Sequence, residues 1–352
     1  MAQLRVGNSR IAGICCAVPK KVVDNTYFEE FLSIEDIQQI SRMTGVHRRR
    51  WVDSTVCTSD LCYEATRKLL ERLDWSADTI DLVVVVTQTP DYCLPATACV
   101  LHGRLGLSPS CAAFDINLGC SGYVYGLNLL QQMMATGMIR RGLLLAGDTI
   151  SKITAPTDRS TRLLFGDAGT ATALEYSPES CPSYYVLGTD GSGARNLIVE
   201  EGGFRSPVPN SSHALSSEEG SKQVNPVHLY MEGGEIFNFT IRTINPLLDE
   251  LLKVSQRYHE NIDYFIFHQA NEFMLKYLAK LAKLPVEKVP TNIKNFGNTS
   301  SASIPLALVS ELSTELCSRA MTLALLGFGV GYSWAAGLIT TDASVVVELV
   351  EV

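Results

Sequence analysis

Three side chains able to carry polar chemistry stand at the ends of apolar segments in this sequence. Cys120 follows the strand-like run Cys111-Ala-Ala-Phe-Asp-Ile-Asn-Leu-Gly and precedes a small-residue turn and an amphipathic helix beginning at Tyr123. A thiolate at a helix N-terminus faces unpaired N–H groups and the positive end of the helix dipole, which predicts a lowered pKa and a nucleophile at neutral pH. His268 closes the apolar strand of Tyr264-Phe-Ile-Phe-His268-Gln-Ala-Asn271, and a helix through Met274, Leu275, Leu278 and Leu281 follows it. Asn298 lies in the glycine turn Lys294-Asn-Phe-Gly-Asn298-Thr-Ser-Ser-Ala-Ser-Ile-Pro305, which leads into an apolar-periodic helix through Leu306, Leu308 and Val309. Singly, each has an ordinary reading: a small core hydrophobe, a satisfied core histidine, a helix cap. Jointly they point to chemistry, because an α/β protein gathers polar groups along the carboxyl edge of its sheet.

The bulk of the chain narrows the function classes. Its 352 residues are 46% hydrophobic and 19% charged, the balance of a compact globular protein with one large core or two fused domains. A formal net charge of −8 argues against broad binding to nucleic acid or to an anionic membrane. Arg48-Arg-Arg50 and the lysines at 276, 280 and 283 are the short basic exceptions. The ten cysteines show no C-x-x-C spacing and read as reduced thiols of a cytoplasmic protein, and the first residues lack the long apolar region of a signal peptide. No pair among the six histidines has H-x-x-x-H spacing, so no metal is expected. Gly327, Gly329 and Gly331 make no dinucleotide fingerprint, since no ribose-binding acid follows them. Ala320 to Thr341 is uncharged and long enough to cross a bilayer, but its glycines divide it into two buried strands, Leu323 to Phe328 and Tyr332 to Ile339.

These elements must present the three polar residues to one another. Leu82 to Thr87 and Leu143 to Ala146 read as buried strands, Ser59 to Leu73 as an amphipathic helix, and Ser206 to Asn225 as a polar surface loop. A rough internal echo links Leu163-Leu-Phe-Gly-Asp-Ala-Gly-Thr-Ala-Thr-Ala-Leu-Glu175 with Leu325-Leu-Gly-Phe-Gly-Val-Gly-Tyr-Ser-Trp-Ala-Ala-Gly-Leu-Ile339, each expected to form a glycine-punctuated hairpin that closes one half. The expected architecture is therefore two similar α/β halves, residues 1–176 with Cys120 and residues 177–352 with His268 and Asn298, in a layered sandwich.

The motifs resemble those of the β-ketoacyl-acyl-carrier-protein synthase III family of thiolase-fold condensing enzymes, over nearly the whole chain. The likeness rests on Gly119-Cys120-Ser-Gly122-Tyr-Val-Tyr-Gly126, His268-Gln-Ala-Asn271, Gly297-Asn298-Thr-Ser-Ser-Ala-Ser-Ile-Pro305 and Gly327-Phe-Gly-Val-Gly-Tyr-Ser-Trp334. Thr44-Gly45 before basic residues, Pro156-Thr-Asp-Arg159 leading to Phe165-Gly-Asp, and Met231-Glu-Gly233-Gly-Glu-Ile-Phe237 add to it in the same order.

The resemblance implies a thiolase-like α-β-α-β-α sandwich and a homodimer. It implies that Cys120 takes an acyl group from acyl-CoA, with the backbone N–H groups of Cys120 and Val330 holding the oxyanion. His268 and Asn298 would then stabilise the enolate formed by decarboxylation of a malonyl thioester, carried by acyl carrier protein or CoA, for Claisen condensation to a 3-oxoacyl product, with no cofactor. Arg159, Gly233, Phe237, Ala270 and Asn271 are implied to line the pantetheine or nucleotide channel, and Leu94, Phe165 and Phe328 the acyl end. Four positions depart from the family pattern. Ile34 to Met43 holds no tryptophan to stack on adenine, Glu272-Phe273 replaces a basic residue, Val330 replaces a glycine, and Leu94 replaces an aromatic that the partner subunit usually lends. Two alternatives keep the same fold: a condensation-free acyltransferase and a non-catalytic subunit of a heteromeric synthase.

Overall fold

The computed structural model describes residues 1–207 and 226–352; the expected loop at Ser206 to Asn225 therefore lies almost wholly outside the described residues. Two sheets form the frame. The first has six strands in the order 346–351, 9–18, 168–176, 141–148, 82–86, 112–116, and the second five in the order 2–6, 183–189, 333–341, 321–329, 264–267. In both, two parallel strands adjoin an antiparallel closing pair: 82–86 and 141–148 with 168–176, against 264–267 and 321–329 with 333–341. The internal echo in the sequence is this repeated arrangement.

Binary patterning explains the layers. Along Leu82–Val86, Val84 and Val86 face the centre of the molecule while Val83 and Val85 face outward, where the helix Thr58–Leu73 covers them with Leu61, Cys62, Ala65 and Leu69. A strand buried on both faces is a continuous apolar run, as the sequence shows here. Helices Gly122–Met134 and Ser303–Ser318 lie between the sheets and touch both, filling the central layer with Val124, Leu127, Leu130, Leu306 and Leu308. The helix Gly233–Ser255 covers the outer face of the second sheet, and Glu272–Leu281 packs on that helix. The result is an α-β-α-β-α sandwich. No described helix is long and apolar enough to cross a membrane.

Three expectations change. The halves exchange their terminal strands: Ala2–Val6 pairs with Ser183–Thr189 in the second sheet, and Val346–Glu351 runs parallel to Ser9–Val18 in the first. A boundary at 176 thus separates the crossovers but not the sheets. Leu163 to Glu175 is not a hairpin by itself. Only Ala168–Tyr176 is a strand, and its antiparallel partner is Arg141–Asp148. The Asp167 carboxylate accepts from the Val52 and Ser151 N–H groups and the Ser151 hydroxyl, which anchors the preceding turn elsewhere, while Leu164 and Phe165 go into the core of the other half. Nor is Arg48 to Arg50 an exposed basic patch. It is a strand whose central Arg49 is fully buried, donating to the carbonyls of Val23 (3.2 Å) and Leu163 (2.7 Å) and to Asn25 Oδ1 (2.7 Å).

The halves meet tightly at Gly166. Its N–H donates to the Asn298 carbonyl at 3.0 Å, Asn298 N–H returns to the Leu164 carbonyl at 2.9 Å, and a Cβ on Gly166 would collide with the Phe296 carbonyl oxygen. Because a backbone oxygen cannot rotate aside, Gly166→Ala is expected to cost about 3 kcal/mol. Chemical denaturation should show that loss; an unchanged midpoint would mean that the halves slide past each other freely here.

Candidate active site

Two parts of the second half converge on Cys120. The first is the strand Met321–Gly329. A Cβ on Gly329 would lie 2.7 Å from Cys120 Cβ and 3.1 Å from its Sγ, and one on Gly327 would lie 2.8 Å from Ser121 Cα. Side chains at these two positions would push the Cys120–Ser121 turn off the strand, so both must be glycine. Between them, Phe328 points to the other face, where its ring meets His268 edge-on at 5.5 Å and 82°. One strand therefore carries the thiol against its inner face and braces the imidazole with its outer one.

The second part is the turn from Asn298 to Ser303. Asn298 Oδ1 accepts the Ser300 N–H at 2.9 Å, which leaves the amide NH₂ as the free end of the side chain. Ser303 Oγ lies 2.7 Å from His268 Nδ1. When the serine donates this bond, Nε2 carries the ring's proton and becomes the donor end. His268 and Asn298 are thus held by one six-residue turn, and together with Cys120 they are at least 93% buried.

Burial sets the protonation states. The Cys120 thiol is pushed from 9.0 up to about 12, mainly by burial and then by the charge of Asp148, against the smaller opposing influence of the nearby Ser300 and its own N–H. The sequence-based expectation of a lowered pKa fails on magnitude. A helix terminus supplies roughly 2 kcal/mol at most, which burial of the thiol outweighs. Cys120 also stands outside the helix, which starts at Gly122 with Ser121 as its N-cap. His268 moves the other way, down to about 3, because burial penalises its cation. The imidazole is neutral.

The remaining candidates fall into two groups. Phe165 and Phe328 belong to one buried cluster that also contains Ala270. Phe237 stacks on Phe273 at 5.7 Å and meets Tyr277 at 5.5 Å, so two helices share an aromatic face beside Asn271, whose Oδ1 caps its own helix by accepting from Met274 N–H at 2.8 Å. Gly233 opens its helix with free space around it. Arg159 is engaged by Asp36 at 2.8 Å on the surface, a bond weak enough for an anionic ligand to displace. Leu94 is 77% exposed and does not line a cavity of its own chain's core. Val330 lies in the turn after Gly329, half-buried, with Cγ1 3.3 Å from where a Cβ on Gly119 would stand, so its branched side chain crowds the residue before Cys120. Glu272 pairs with Lys276 at 2.8 Å and abuts Gly45.

Sequence reasoning missed Asp148, Ser300, Ser301 and Ser303. Asp148 is fully buried at the end of Arg141–Asp148 and accepts hydrogen bonds from both halves. A lone acid closing an apolar strand was the available signal.

Comparison with known proteins agrees with this architecture. Residues 114–191 match the family model described as 3-Oxoacyl-[acyl-carrier-protein (ACP)] synthase III, and residues 252–341 match the model of its C-terminal part. The chain is 34% identical to a β-ketoacyl-[acyl-carrier-protein] synthase III of Clostridium perfringens over 94% of this chain and 99% of that one. It is 36% identical to the enzyme of that name from Caldanaerobacter subterraneus, over 94% and 96% of the two chains. The crystal structure of a 3-oxoacyl-(acyl-carrier protein) synthase from Burkholderia xenovorans superposes with a TM-score of 0.94 at 48% identity, covering 100% of this chain and 99% of that one. With its thiolase-type sandwich and this extent of similarity, the chain belongs to the β-ketoacyl-acyl-carrier-protein synthase III family.

Proposed function

We propose that this protein is a condensing transferase in which Cys120 is acylated by an acyl-CoA and the acyl group is then joined to a decarboxylating malonyl thioester, giving a 3-oxoacyl product. The observation that carries this reading is the Asn298–Ser303 turn, which holds a neutral imidazole and a carboxamide, together with the strand Met321–Gly329, which packs on Cys120 through Gly329 and on His268 through Phe328. Attack of the Cys120 sulfur on the donor thioester carbon yields a tetrahedral oxyanion, held by the N–H groups of Cys120 and Val330. Collapse expels the CoA thiolate and leaves the acyl-enzyme.

The second half-reaction needs donors rather than a base. Loss of carbon dioxide leaves a pair of electrons that delocalises onto the thioester oxygen as an enolate. A neutral His268 donating through Nε2 and the Asn298 NH₂ suit that oxygen, since they are fixed before charge develops. The enolate carbon then attacks the acyl-Cys120 carbonyl, and the sulfur leaves. Phe165 and Phe328 form the acyl end in this reading. Phe237, Ala270 and Asn271, with Gly233 and Arg159, form the approach for the pantetheine arm and nucleotide. The exposure of Leu94 supports a homodimer in which each protomer offers this side chain to its partner. The malonyl carrier is acyl carrier protein or CoA.

Incubation with a panel of acyl-CoAs followed by intact-protein mass spectrometry should show one acyl addition in the wild type and none in Cys120→Ala. Labelling that persists in the alanine variant would remove Cys120 from the reaction. Asn298→Ala should still accept the acyl group but release carbon dioxide from the malonyl thioester about 10²–10³-fold more slowly. Acyl transfer to another nucleophile without carbon dioxide release would identify a plain acyltransferase.

The neutral imidazole makes a separate prediction. With its pKa near 3 in the native state and 6.5 as the ordinary value, His268 binds fewer protons than the unfolded chain does between those limits. The stability it permits is therefore present above pH 6.5 and is lost as pH falls toward 3. Relative to His268→Asn, the wild type should lose about 2 kcal/mol between pH 7 and pH 5. Parallel urea titrations at the two pH values would contradict this if the difference stayed constant.

A further inference from the structure

Asp148 closes the strand Arg141–Asp148 of the first half and is fully buried. Its two oxygens serve different halves of the molecule. Oδ1 accepts from Gln88 N–H at 2.8 Å and from the hydroxyls of Thr87 and Thr89, each at 3.2 Å, all in the segment that follows the strand Leu82–Val86. Oδ2 accepts from Ser301 N–H at 3.1 Å and from Ser301 Oγ at 2.7 Å. An ionised carboxylate only accepts and can take both sets at once, whereas a carboxamide in its place would turn its NH₂ on one of the two backbone N–H groups.

Ser301 stands between the two groups that are to face the thioester oxygen. Three residues before it, Asn298 is oriented by the Ser300 N–H at 2.9 Å, and two residues after it, Ser303 Oγ lies 2.7 Å from His268 Nδ1. Backbone bonds from Asn298 to Leu164 and Gly166 hold the start of this turn. Past Asn298, the shortest bond from the turn to the first half is the one from Ser301 Oγ to Asp148. The Val86 carbonyl stands farther off, 3.4 Å from the same hydroxyl. A hydrogen bond to a charged acceptor is also roughly twice as strong as one to a carbonyl.

We propose that Asp148, acting through Ser301, is a positioning residue for decarboxylation: it seats the Asn298–Ser303 turn so that carboxamide and imidazole are fixed before the enolate forms. The assignment rests on the condensing reaction proposed for this chain. Cys120 does not depend on that seat, because Gly327 and Gly329 bring the strand Met321–Gly329 directly against it and Ser121. The charge of Asp148 even opposes ionisation of the thiol. One side chain thus has opposite effects on the two half-reactions, hindering acylation and promoting decarboxylation.

Measuring the half-reactions separately on the full-length protein tests this. Asp148→Asn should take up the acyl group at least as fast as the wild type, yet release carbon dioxide from the malonyl thioester about 10²-fold more slowly. Ser301→Ala keeps the backbone N–H bond and loses the hydroxyl, so release should slow about tenfold while acylation is unchanged. It carries the test if Asp148→Asn fails to fold. In the double variant the serine change should add less than about twofold, because its partner is already gone. The losses should fall on kcat with KM for the malonyl thioester within about twofold, since the donors meet charge that develops only in the transition state. Release as fast as the wild type in both variants, acylation falling in parallel with release, or fully additive losses would overturn the proposal. A wild type that is acylated but releases no carbon dioxide would instead remove the condensing reaction. Histidine-selective ¹⁵N spectra then decide the positioning: it holds if His268 passes from a single Nε2-protonated tautomer to an averaged pair in the variants, and falls if its shifts do not move.

Discussion

The seating of the Asn298–Ser303 turn on the first half is the constraint on which the site depends. Asn298 exchanges backbone hydrogen bonds with Leu164 and Gly166, and Ser301 anchors in the Asp148 carboxylate with both its N–H and its hydroxyl. These bonds cross the junction between two sheets that otherwise meet through apolar helices. Apolar contact fixes how close two layers come but is non-directional. The hydrogen bonds fix the register, and with it the distances among a sulfur, a ring nitrogen and a carboxamide.

Small residues on the opposing strand complete that arrangement. Gly327 and Gly329 let the backbone at Cys120 and Ser121 lie directly on Met321–Gly329, and Ser121 Oγ reaches Ser333 Oγ at 2.6 Å across the same contact. Cys120 is consequently packed mostly against protein, with 7% of its surface left exposed. Enclosure protects an acyl-enzyme from hydrolysis and strengthens every fixed dipole around it, and the same enclosure makes bare ionisation of the sulfur costly.

Much of this was legible in the sequence because the signals were periodic. The run Leu82–Val86 and the pair at 321–341 announced buried strands, and Cys120, His268 and Asn298 marked strand ends facing a common edge. What was not legible depends on partners distant in the chain. Nothing local reveals that Arg49 turns inward to carbonyls at 23 and 163, or that Asp148 serves the N–H and hydroxyl of Ser301 in the other half. The direction of the Cys120 shift was misread because a helix terminus is visible in sequence while burial is not. Glycine punctuation in Leu163 to Glu175 signals a turn without saying which strand will pair across it, and the partner of Ala168–Tyr176 is Arg141–Asp148.

The exchange of terminal strands has its own consequence. Ala2–Val6 closes one edge of the second sheet, and Val346–Glu351 closes one edge of the first. Released at residue 176, either half would present a long strand with unsatisfied amides and carbonyls, Ser183–Thr189 in one case and Ser9–Val18 in the other, open to pairing with neighbouring molecules. The ancestral look of a duplicated unit therefore conceals a molecule that can no longer be cut in two. Each copy borrows the finishing strand of its sister, so a ribosome must deliver the last residues before the first sheet is whole.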